Sequence, residues 1–463
     1  MNSNKIKFYN TLTREKEVFT PINNDKVNLF VCGPTVYDYP HLGHGKTCTQ
    51  FDVLVRTLRY FGYEVFYLQN ITDIDDKIIN RAKEQNISPK DLSEKFEKIY
   101  LEDMASLGIT SVNKYARATD YIPQIIKQVE TLIEKGYAYK TSDGIYFETA
   151  KFKNYGKLSG RTELKEDDAV SRIDESKDKK GWNDFCLWKA EKKGEPVWDA
   201  PFGKGRPGWH IEDTAITETF FGPQYDIHGG ARDLIFPHHE CEIAQMESAS
   251  GCSPLVRYWL HTGFLNLDSK KMSKSKGNFK TLREMIESGI SPMAFRFWVL
   301  MAHYRSPVNW NQDALEGAET ALKRLYGLYL GLGNEVGLVH QEYQNKFKEY
   351  LEDDLDTPRA LSLLWDVIKD ENMTNADKKA TILDFDKVLG LGFEQAEKTA
   401  KEEVIPAEIL KLVDEREEAR KNKDFKKSDE LRDKIHSLGY EVKDTSEGQK
   451  ISLGSKPTGD AKI

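Results

Sequence analysis

The chain contains 463 residues, of which 31% are charged and 39% hydrophobic, and its formal net charge is -8. This composition favours a folded, soluble protein of about three domains and does not favour non-specific binding of nucleic acid, although a local basic face can still hold one RNA. The longest apolar run, around residues 295–302, is too short to cross a bilayer, and the N-terminus has no apolar secretion segment. The five cysteines are an odd and sparse set for a disulfide framework, which predicts reduced thiols and a cytoplasmic location.

The first quarter of the chain predicts alternating strands and helices. Residues 27–32 form an apolar run that is typical of a buried parallel strand. A helix is expected after His44, because apolar residues recur at helical spacing from Phe51 to Phe61, and residues 64–68 predict the next strand. This strand–helix–strand order indicates a doubly wound α/β domain, and residues 73–107 are expected to be helical.

The middle of the chain interrupts this pattern. Short strand-like pieces and a charge-dense stretch at 165–180, which we expect to be an exposed loop, indicate an insertion between about residues 115 and 207. The α/β pattern returns at 225–228. From residue 313 onward nearly everything is expected to be helical, with a loose tail after Thr445.

Two short segments carry the strongest functional signal. The first is Pro40-His41-Leu42-Gly43-His44, and the second, about half the chain later, is Lys271-Met272-Ser273-Lys274-Ser275. In this order and at this separation they resemble the two ATP-handling motifs of class I aminoacyl-tRNA synthetases. Activation of an amino acid builds negative charge on phosphoryl oxygens, and positioned cations and hydrogen-bond donors stabilise such charge.

The residue types of both segments suit that chemistry. Gly43 lets the backbone approach a ligand, and we expect His41 and His44 to face the phosphates at a helix N-terminus, which favours anions. Lys274 is expected to contact the triphosphate with support from Lys271, and Ser273 belongs to the same ATP-binding loop. Taken singly, the first segment also fits a glycine-bent loop with two satisfied histidines, and the second fits a solvated charge run.

A glycine pair offers a further ATP contact. Gly229 and Gly230 follow a predicted strand, where a base or ribose can come close to the backbone, and Asp233 can accept hydrogen bonds from ribose hydroxyls. An ordinary turn explains Gly229 and Gly230 equally well.

A metal site is indicated by the segment that begins at Pro237. Proline suits a first helical turn, so His238 and Glu242 are expected at positions i and i+4 of one helix face, which can hold zinc. Cys32 ends the first predicted strand, at the edge of the sheet where α/β sites assemble. The alternative is a helix start rich in polar caps, beside one buried cysteine.

Longer motifs resemble the cysteinyl-tRNA synthetase family, and the resemblance spans essentially the whole chain. Besides the lysine-rich loop, the resembling segments lie at residues 30–38, 70–77, 206–212, 227–245 and 423–433. The resemblance implies an α/β fold: a Rossmann-type catalytic domain with an inserted connective domain, followed by a helical anticodon-binding region. The implied boundaries are 1–115 and 206–260 for the catalytic domain, 116–205 for the insertion, 261–330 for a stem-contact region with the lysine-rich ATP loop, 331–400 for the helical domain and 401–463 for a small charged domain.

The resemblance also implies a zinc ion that binds the thiolate of the substrate. The family ligands fall on Cys32, His238 and Glu242, while the fourth, a cysteine in the family, is Asp213 here. Three possibilities stay open: Asp213 ligates zinc, Cys241 replaces the missing thiolate, or no zinc binds. A metal–thiolate bond is an effective way to select cysteine over serine, because pocket shape barely separates a thiol from a hydroxyl.

Two further residues are expected near the amino acid. The resemblance places Trp209 in the wall of the amino-acid pocket, although a core position is an alternative for this aromatic residue. Thr72 and the nearby carboxylates of Asp73, Asp75 and Asp76 are candidates to anchor the substrate's ammonium group, or equally to cap the following helix.

The implied function is ATP-dependent ligation of L-cysteine to tRNA(Cys) by a cytoplasmic monomer, with Mg²⁺ on the phosphates. In this mechanism His41 and His44 stabilise the transition state at the α-phosphate, and Lys274 stabilises the leaving pyrophosphate. One rival is a ligase that joins cysteine to a small amine such as an amino sugar, which lacks an anticodon-binding end. The other is a catalytically weak tRNA-binding paralogue.

Overall fold

The computed structural model describes residues 5–161, 177–267, 270–271, 279–402, 407–438, 440–445 and 448–453. Most of the charge-dense stretch at 165–180, which was expected to be an exposed loop, lies outside these ranges. The chain divides into two compact units, Met1–Gly392 and Phe393–Ile463.

The first unit contains both strands and helices. Its strands are β1 (Lys7–Asn10), β2 (Glu15–Val18), β3 (Lys26–Val31), β4 (Glu64–Ile71), β5 (Lys114–Arg117), β6 (Ala138–Lys140), β7 (Gly144–Phe147), β8 (Phe185–Ala190), β9 (Gly205–Pro207), β10 (Tyr225–Ala231), β11 (Val256–Thr262), β12 (Leu265–Leu267), β13 (Lys270–Lys271) and β14 (Val308–Asn309). Its helices are α1 (Leu42–Tyr60), α2 (Asp76–Gln85), α3 (Pro89–Ser106), α4 (Ile122–Glu134), α5 (Ile211–Phe221), α6 (Glu240–Ser250), α7 (Leu282–Glu287), α8 (Pro292–Leu300), α9 (Gln312–Leu330), α10 (Gln341–Glu352), α11 (Thr357–Lys369) and α12 (Asn375–Leu389).

A five-stranded parallel sheet with the order β11-β10-β3-β4-β5 forms the centre of this unit. The strands predicted at residues 27–32, 64–68 and 225–228 are β3, β4 and β10, which confirms the α/β expectation. Most residues of β3 are buried, as is usual for a parallel strand that is covered on both faces. Because all five strands run the same way, their carboxyl ends meet at one edge of the sheet.

Helix α1 packs on this sheet and begins earlier than its apolar pattern indicated. The helix starts at Leu42 with His41 as the N-cap residue, so Gly43 and His44 lie in its first turn. It ends at Tyr60, within one residue of the end of the apolar pattern at Phe61, and Gly62 follows with a φ of 92°.

The helical stretch predicted at residues 73–107 consists of two helices. Asn86 takes the left-handed conformation with a φ of 53° and ends α2. Ser88 then caps α3 by accepting a hydrogen bond from the Asp91 N–H at 3.0 Å, with Pro89 in the first turn. These terminating and capping residues explain why one apolar pattern holds two helices.

An antiparallel sheet of order β6-β7-β8-β9 follows the first five strands of the chain. Its buried face packs against α4, α5 and α6 through Val129, Phe147, Phe185 and Ile211. This sheet and α4 occupy the part of the chain where the sequence indicates an insertion.

A buried arginine joins the helical end of the first unit to α1. Arg296 in α8 donates from Nη2 to Asp52 Oδ2 at 2.6 Å, from Nε to the Leu389 carbonyl at 2.8 Å and from Nη1 to the Leu107 carbonyl at 3.1 Å. Neither Arg296 nor the Asp52 side chain is exposed to solvent. The ends of α3 and α12 are therefore fixed to the helix that carries His41 and His44.

The second unit has its own small core. It consists of α13 (Phe393–Glu402), α14 (Ala407–Lys421), α15 (Phe425–Ser437), β15 (Tyr440–Thr445) and β16 (Gly448–Leu453). The two strands form an antiparallel hairpin in which Val442 faces Ile451, and both contact the apolar faces of the helices. The expectation of helices followed by a loose tail was wrong for this hairpin, because its alternating apolar residues complete the core.

Within the described ranges, none of the helices combines the length and apolar character needed to span a lipid bilayer.

Candidate active site

The two histidines of the first motif lie together at the start of α1. The rings of His41 and His44 are stacked, with centroids 3.9 Å apart and planes inclined by 24°. Gly43 makes this stacking possible, because a Cβ on Gly43 would lie 2.7 Å from His41 Nδ1. The pair therefore occupies the N-terminus of a helix, whose dipole favours anions, as the sequence indicated.

Backbone contacts join the first ATP motif to residues that follow the second one in the chain. The Leu42 N–H donates to the Lys280 carbonyl at 2.8 Å, and His41 forms an antiparallel bridge with Thr281. Lys280 and Thr281 come shortly after the lysine-rich segment in the sequence. Lys271 lies in β13.

Ser273 and Lys274 lie outside the described residues. Their predicted contacts with the triphosphate therefore stay predictions.

The glycine pair lies at the carboxyl end of β10, and protein side chains occupy the space over it. A Cβ on Gly229 would lie 2.3 Å from the Phe51 ring of α1, and one on Gly230 would lie 2.9 Å from His239 Cε1. Both glycines thus allow close packing on the strand. Asp233 lies just beyond them in an exposed turn, Arg232–Leu234.

The predicted metal ligands do come together. Cys32, Asp213, His238 and Glu242 each offer one ligand atom, and these atoms all lie within 4.8 Å of one another. His238 Nε2 is 2.9 Å from Glu242 Oε1 and 3.0 Å from Asp213 Oδ2, and Cys32 Sγ is 3.5 Å from the same Asp213 oxygen. Three of the four residues are fully buried, and Cys32 is half-buried.

The helix start at Pro237 differs from the prediction. Phe236 is extended with φ of -136° and ψ of 129°, and α6 begins only at Glu240, after a separate turn that contains His238. The i, i+4 pairing survives because the turn runs directly into the helix.

Cys241 does not reach this group. It is fully buried in the apolar cluster beneath the inserted sheet, and its Sγ lies 3.3 Å from the Tyr155 hydroxyl.

Two further histidines surround the same cysteine, and the sequence reasoning missed them as ligand candidates. Cys32, His228, His239 and Glu242 form a second group with ligand atoms within 4.8 Å. The Nε2 atoms of His239 and His228 lie 3.1 and 3.4 Å from Cys32 Sγ. Their positions in the sequence could have identified them as ligand candidates, since His228 ends a predicted strand and His239 adjoins His238.

Neighbouring side chains orient these two rings. His228 Nδ1 lies 2.6 Å from the Tyr225 hydroxyl, and His239 Nδ1 lies 2.8 Å from His261 Nε2. Burial lowers the pKa of His228 and His239 well below the usual value, which keeps both imidazoles neutral. Neutral imidazole is the form that binds metals.

Charges in the first group are strongly coupled. Burial alone lowers the pKa of His238, but the carboxylates of Glu242 and Asp213 outweigh burial and raise it to about 10. Burial raises the pKa of Glu242 to about 7, against the opposing effect of His238, and burial also raises the pKa of the Cys32 thiol. A divalent cation would stabilise the anionic thiolate and carboxylates together.

The amino-acid candidates adjoin this group. Trp209 is 38% exposed, and its ring stacks on His238 with centroids 4.2 Å apart. Thr72 is buried, and its hydroxyl donates to Glu212 Oε2 at 2.9 Å.

The acidic residues after Thr72 serve the local fold. Asp75 caps α2, Asp73 accepts from the Thr119 N–H at 3.0 Å, and Asp76 pairs with Lys189 and Arg206.

Comparisons with known proteins identify the fold and the family of the chain. The family model described as the tRNA synthetases class I (C) catalytic domain matches residues 18–320, and the model of the cysteinyl-tRNA ligase anticodon binding domain matches residues 403–451. A methionyl-tRNA synthetase of Mycobacterium tuberculosis in complex with methionyl-adenylate shares the fold, with a TM-score of 0.55 and 14% identity over 80% of this chain and 91% of its own. The parallel sheet with a histidine pair at the start of α1 is thus a class I aminoacyl-tRNA synthetase fold.

Two relatives show which family of class I synthetases the chain resembles. The cysteine–tRNA ligase of Caldicellulosiruptor saccharolyticus is 44% identical over 96% of this chain and 99% of its own. That of Thermoplasma acidophilum is 52% identical over 72% of this chain and 73% of its own. The chain belongs to the cysteinyl-tRNA synthetase family.

Proposed function

We propose that this chain activates L-cysteine with ATP and transfers it to tRNA(Cys). The observation that carries the proposal is the cluster of Cys32, Asp213, His238 and Glu242 at the same edge of the sheet as the His41–His44 pair. One group suits recognition of a thiol, and the other suits the phosphates of ATP.

The first step joins cysteine to the nucleotide. The cysteine carboxylate attacks the α-phosphate of Mg²⁺-bound ATP, a P–O bond forms, and pyrophosphate leaves with the electrons of the broken bond. His41 and His44 donate to oxygens of the α-phosphate, while Lys271 and Lys274 stabilise the departing pyrophosphate. Such donors matter because their interaction grows as charge develops.

The second step releases AMP. A ribose hydroxyl at the 3′ end of the tRNA attacks the adenylate carbonyl, an ester bond forms, and AMP leaves with the former carboxylate oxygen. We assign Gly229, Gly230 and Asp233 to the nucleoside of ATP, because they lie at the carboxyl end of β10 beside α1.

Zinc fits the residues at the centre of the site. One thiolate, one imidazole and two carboxylates are zinc donors, and their ligand atoms, all within 4.8 Å of one another, are close enough together to surround one ion. Cys32, Asp213, His238 and Glu242 would hold the ion. When bound, zinc would take the substrate thiolate as a further ligand and so favour cysteine over serine.

The residues around this centre complete the amino-acid pocket. Trp209 covers His238 and presents part of its ring to solvent, so it can form a wall of the pocket. The Thr72 hydroxyl donates to Glu212 and accepts from Asn70 Nδ2 at 3.3 Å, which leaves one lone pair that can accept from the substrate's ammonium group.

The remaining parts are assigned to the tRNA. We propose that residues 331–400 and 401–463 bind the anticodon end, and that 261–330 contacts the acceptor stem. The match of residues 403–451 to an anticodon binding domain supports this assignment and disfavours a ligase for a small amine. The five cysteines, all of which lie in the described ranges, form no disulfide bond with one another, which supports a reducing, cytoplasmic location.

Amino-acid-dependent exchange between pyrophosphate and ATP tests the activation step. The purified chain should catalyse exchange with cysteine and with no other standard amino acid. Exchange with a different amino acid, or none with cysteine, would contradict the proposal, and a His41→Ala, His44→Ala chain is the matched inactive control.

A further inference from the structure

One asparagine side chain connects two of the proposed ligand positions. Asn70 lies near the carboxyl end of β4 and is 2% exposed. Its Oδ1 accepts a hydrogen bond from the Gly33 N–H at 2.5 Å, and its Nδ2 donates to Asp213 Oδ1 at 2.6 Å. Gly33 directly follows Cys32, so Asn70 links the backbone beside one ligand to the carboxylate of another.

The orientation of this amide is fixed by its partners. The backbone N–H of Gly33 can only donate, so the atom that faces it must be the amide oxygen. The amide nitrogen must therefore face Asp213. The backbones of Gly33 and Asn70 are also in close contact, because a Cβ on Gly33 would lie 1.7 Å from the Asn70 carbonyl oxygen.

This contact decides how many oxygens Asp213 can offer. Asn70 occupies Oδ1, whereas Oδ2 faces His238 Nε2 at 3.0 Å and Cys32 Sγ at 3.5 Å. A carboxylate can bind a metal through one oxygen or two, whereas a cysteine offers a single sulfur. Zinc that acts on a substrate needs an open coordination position, and a two-oxygen Asp213 would fill it.

We infer that Asn70 is a positioning residue that holds Asp213 as a one-oxygen ligand. It thereby lets an aspartate serve where the family resemblance places a cysteine, with room left for the substrate thiol. This inference rests on the proposed metal site, and hydrogen bonds to metal ligands commonly act in this way.

The test is a double-mutant cycle on the full-length protein. Asn70→Ala and Asn70→Asp are each made with Asp213 present and with Asp213→Cys. Zinc affinity is measured by competition with a chelator, and cobalt(II) absorption reports the coordination number, since four-coordinate cobalt absorbs far more strongly than six-coordinate cobalt. Asn70→Asp keeps an acceptor for the Gly33 N–H but places a second carboxylate beside Asp213, so it checks the fold, and Asn70→Ala measures the loss of the donor.

With Asp213 present, both substitutions should lower zinc affinity about 10–100-fold and weaken the cobalt absorption. In the Asp213→Cys background Asn70→Ala should change zinc affinity by no more than about twofold, as an uncoupled substitution does. Asn113→Ala is the matched control, because Asn113 Oδ1 likewise accepts a backbone N–H, that of Tyr67 at 2.9 Å, away from both ligand groups.

Equal losses in both backgrounds would show a purely structural role and overturn the inference, as would unchanged affinity in either Asn70 variant with Asp213 present. A wild-type chain without zinc affinity would overturn it together with the metal part of the proposed function. The cycle uses no substrate, so an absence of cysteine activation with an intact cycle would refute the ligase proposal alone.

Discussion

Substitution of Gly43 by alanine should lower the catalytic rate without lowering the stability of the protein. Gly43 lies in the first turn of α1, between the two stacked histidines. A Cβ added there would lie 2.7 Å from His41 Nδ1 and 2.8 Å from His41 Cε1. The helical backbone accepts alanine, so the His41 ring has to move instead.

The size of the effect follows from this geometry. Ordinary non-bonded contact begins near 3.5 Å, so the ring must shift by about 0.8 Å from its 2.7 Å position. A misplacement of about 1 Å costs on the order of a hundredfold in rate, or about 2.7 kcal/mol of transition-state stabilisation. Alanine is also a better helix former than glycine, by up to about 1 kcal/mol. Cysteine-dependent pyrophosphate exchange should therefore fall about a hundredfold, while the free energy of unfolding in urea stays equal or rises.

Gly317→Ala provides the matched control. Gly317 lies inside α9, and a Cβ there would meet nothing within 4 Å. This substitution should show the same gain in helix stability with no change in exchange rate. An unchanged exchange rate in Gly43→Ala would refute the assignment of His41 to the phosphates, and a large loss of stability would refute the packing argument.

Other predictions concern the buried ion pair, the lysine loop and the metal. Arg296→Met should lower the free energy of unfolding by about 3–5 kcal/mol in a urea titration, because the buried Asp52 keeps only Arg56 as an ion-pair partner and the Leu389 and Leu107 carbonyls lose their donor. Burial raises the pKa of Asp52, but Arg296 and Arg56 outweigh burial and hold it below the usual value. The stability advantage of wild type over Asp52→Asn should thus be complete above about pH 4 and shrink as the pH falls below it, as measured by chemical unfolding at several pH values. Lys274→Ala should lower the rate of adenylate formation about a hundredfold with an unchanged unfolding curve. Removal of metal by a chelator should abolish selective activation of cysteine over serine in the exchange assay, and added zinc should restore it.

Local sequence patterns were sufficient to predict where the candidate metal ligands lie. The apolar run that became β3 placed Cys32 at the carboxyl edge of the sheet, and the spacing of His238 and Glu242 predicted a shared ligand position. Both inferences needed only periodicity and the rule that parallel strands present their carboxyl ends together.

The parts that escaped prediction depend on contacts between distant segments. Asn70 meets Asp213 across 143 positions of the chain, and His228 meets Cys32 across 196. Gly229 also has a packing role that the sequence did not indicate, because a Cβ there would meet the Phe51 ring. No local pattern contains these contacts, since they arise only when β10 pairs with β3 and when α1 and α5 pack against the sheet.

Charging of total tRNA with labelled cysteine, and with labelled serine in parallel, tests the central claim most directly. The purified chain, with ATP and Mg²⁺, should charge tRNA with cysteine and leave serine unused. Charging with serine at a comparable rate would contradict the assignment of the Cys32 cluster to thiol recognition, and charging with neither would contradict the ligase itself.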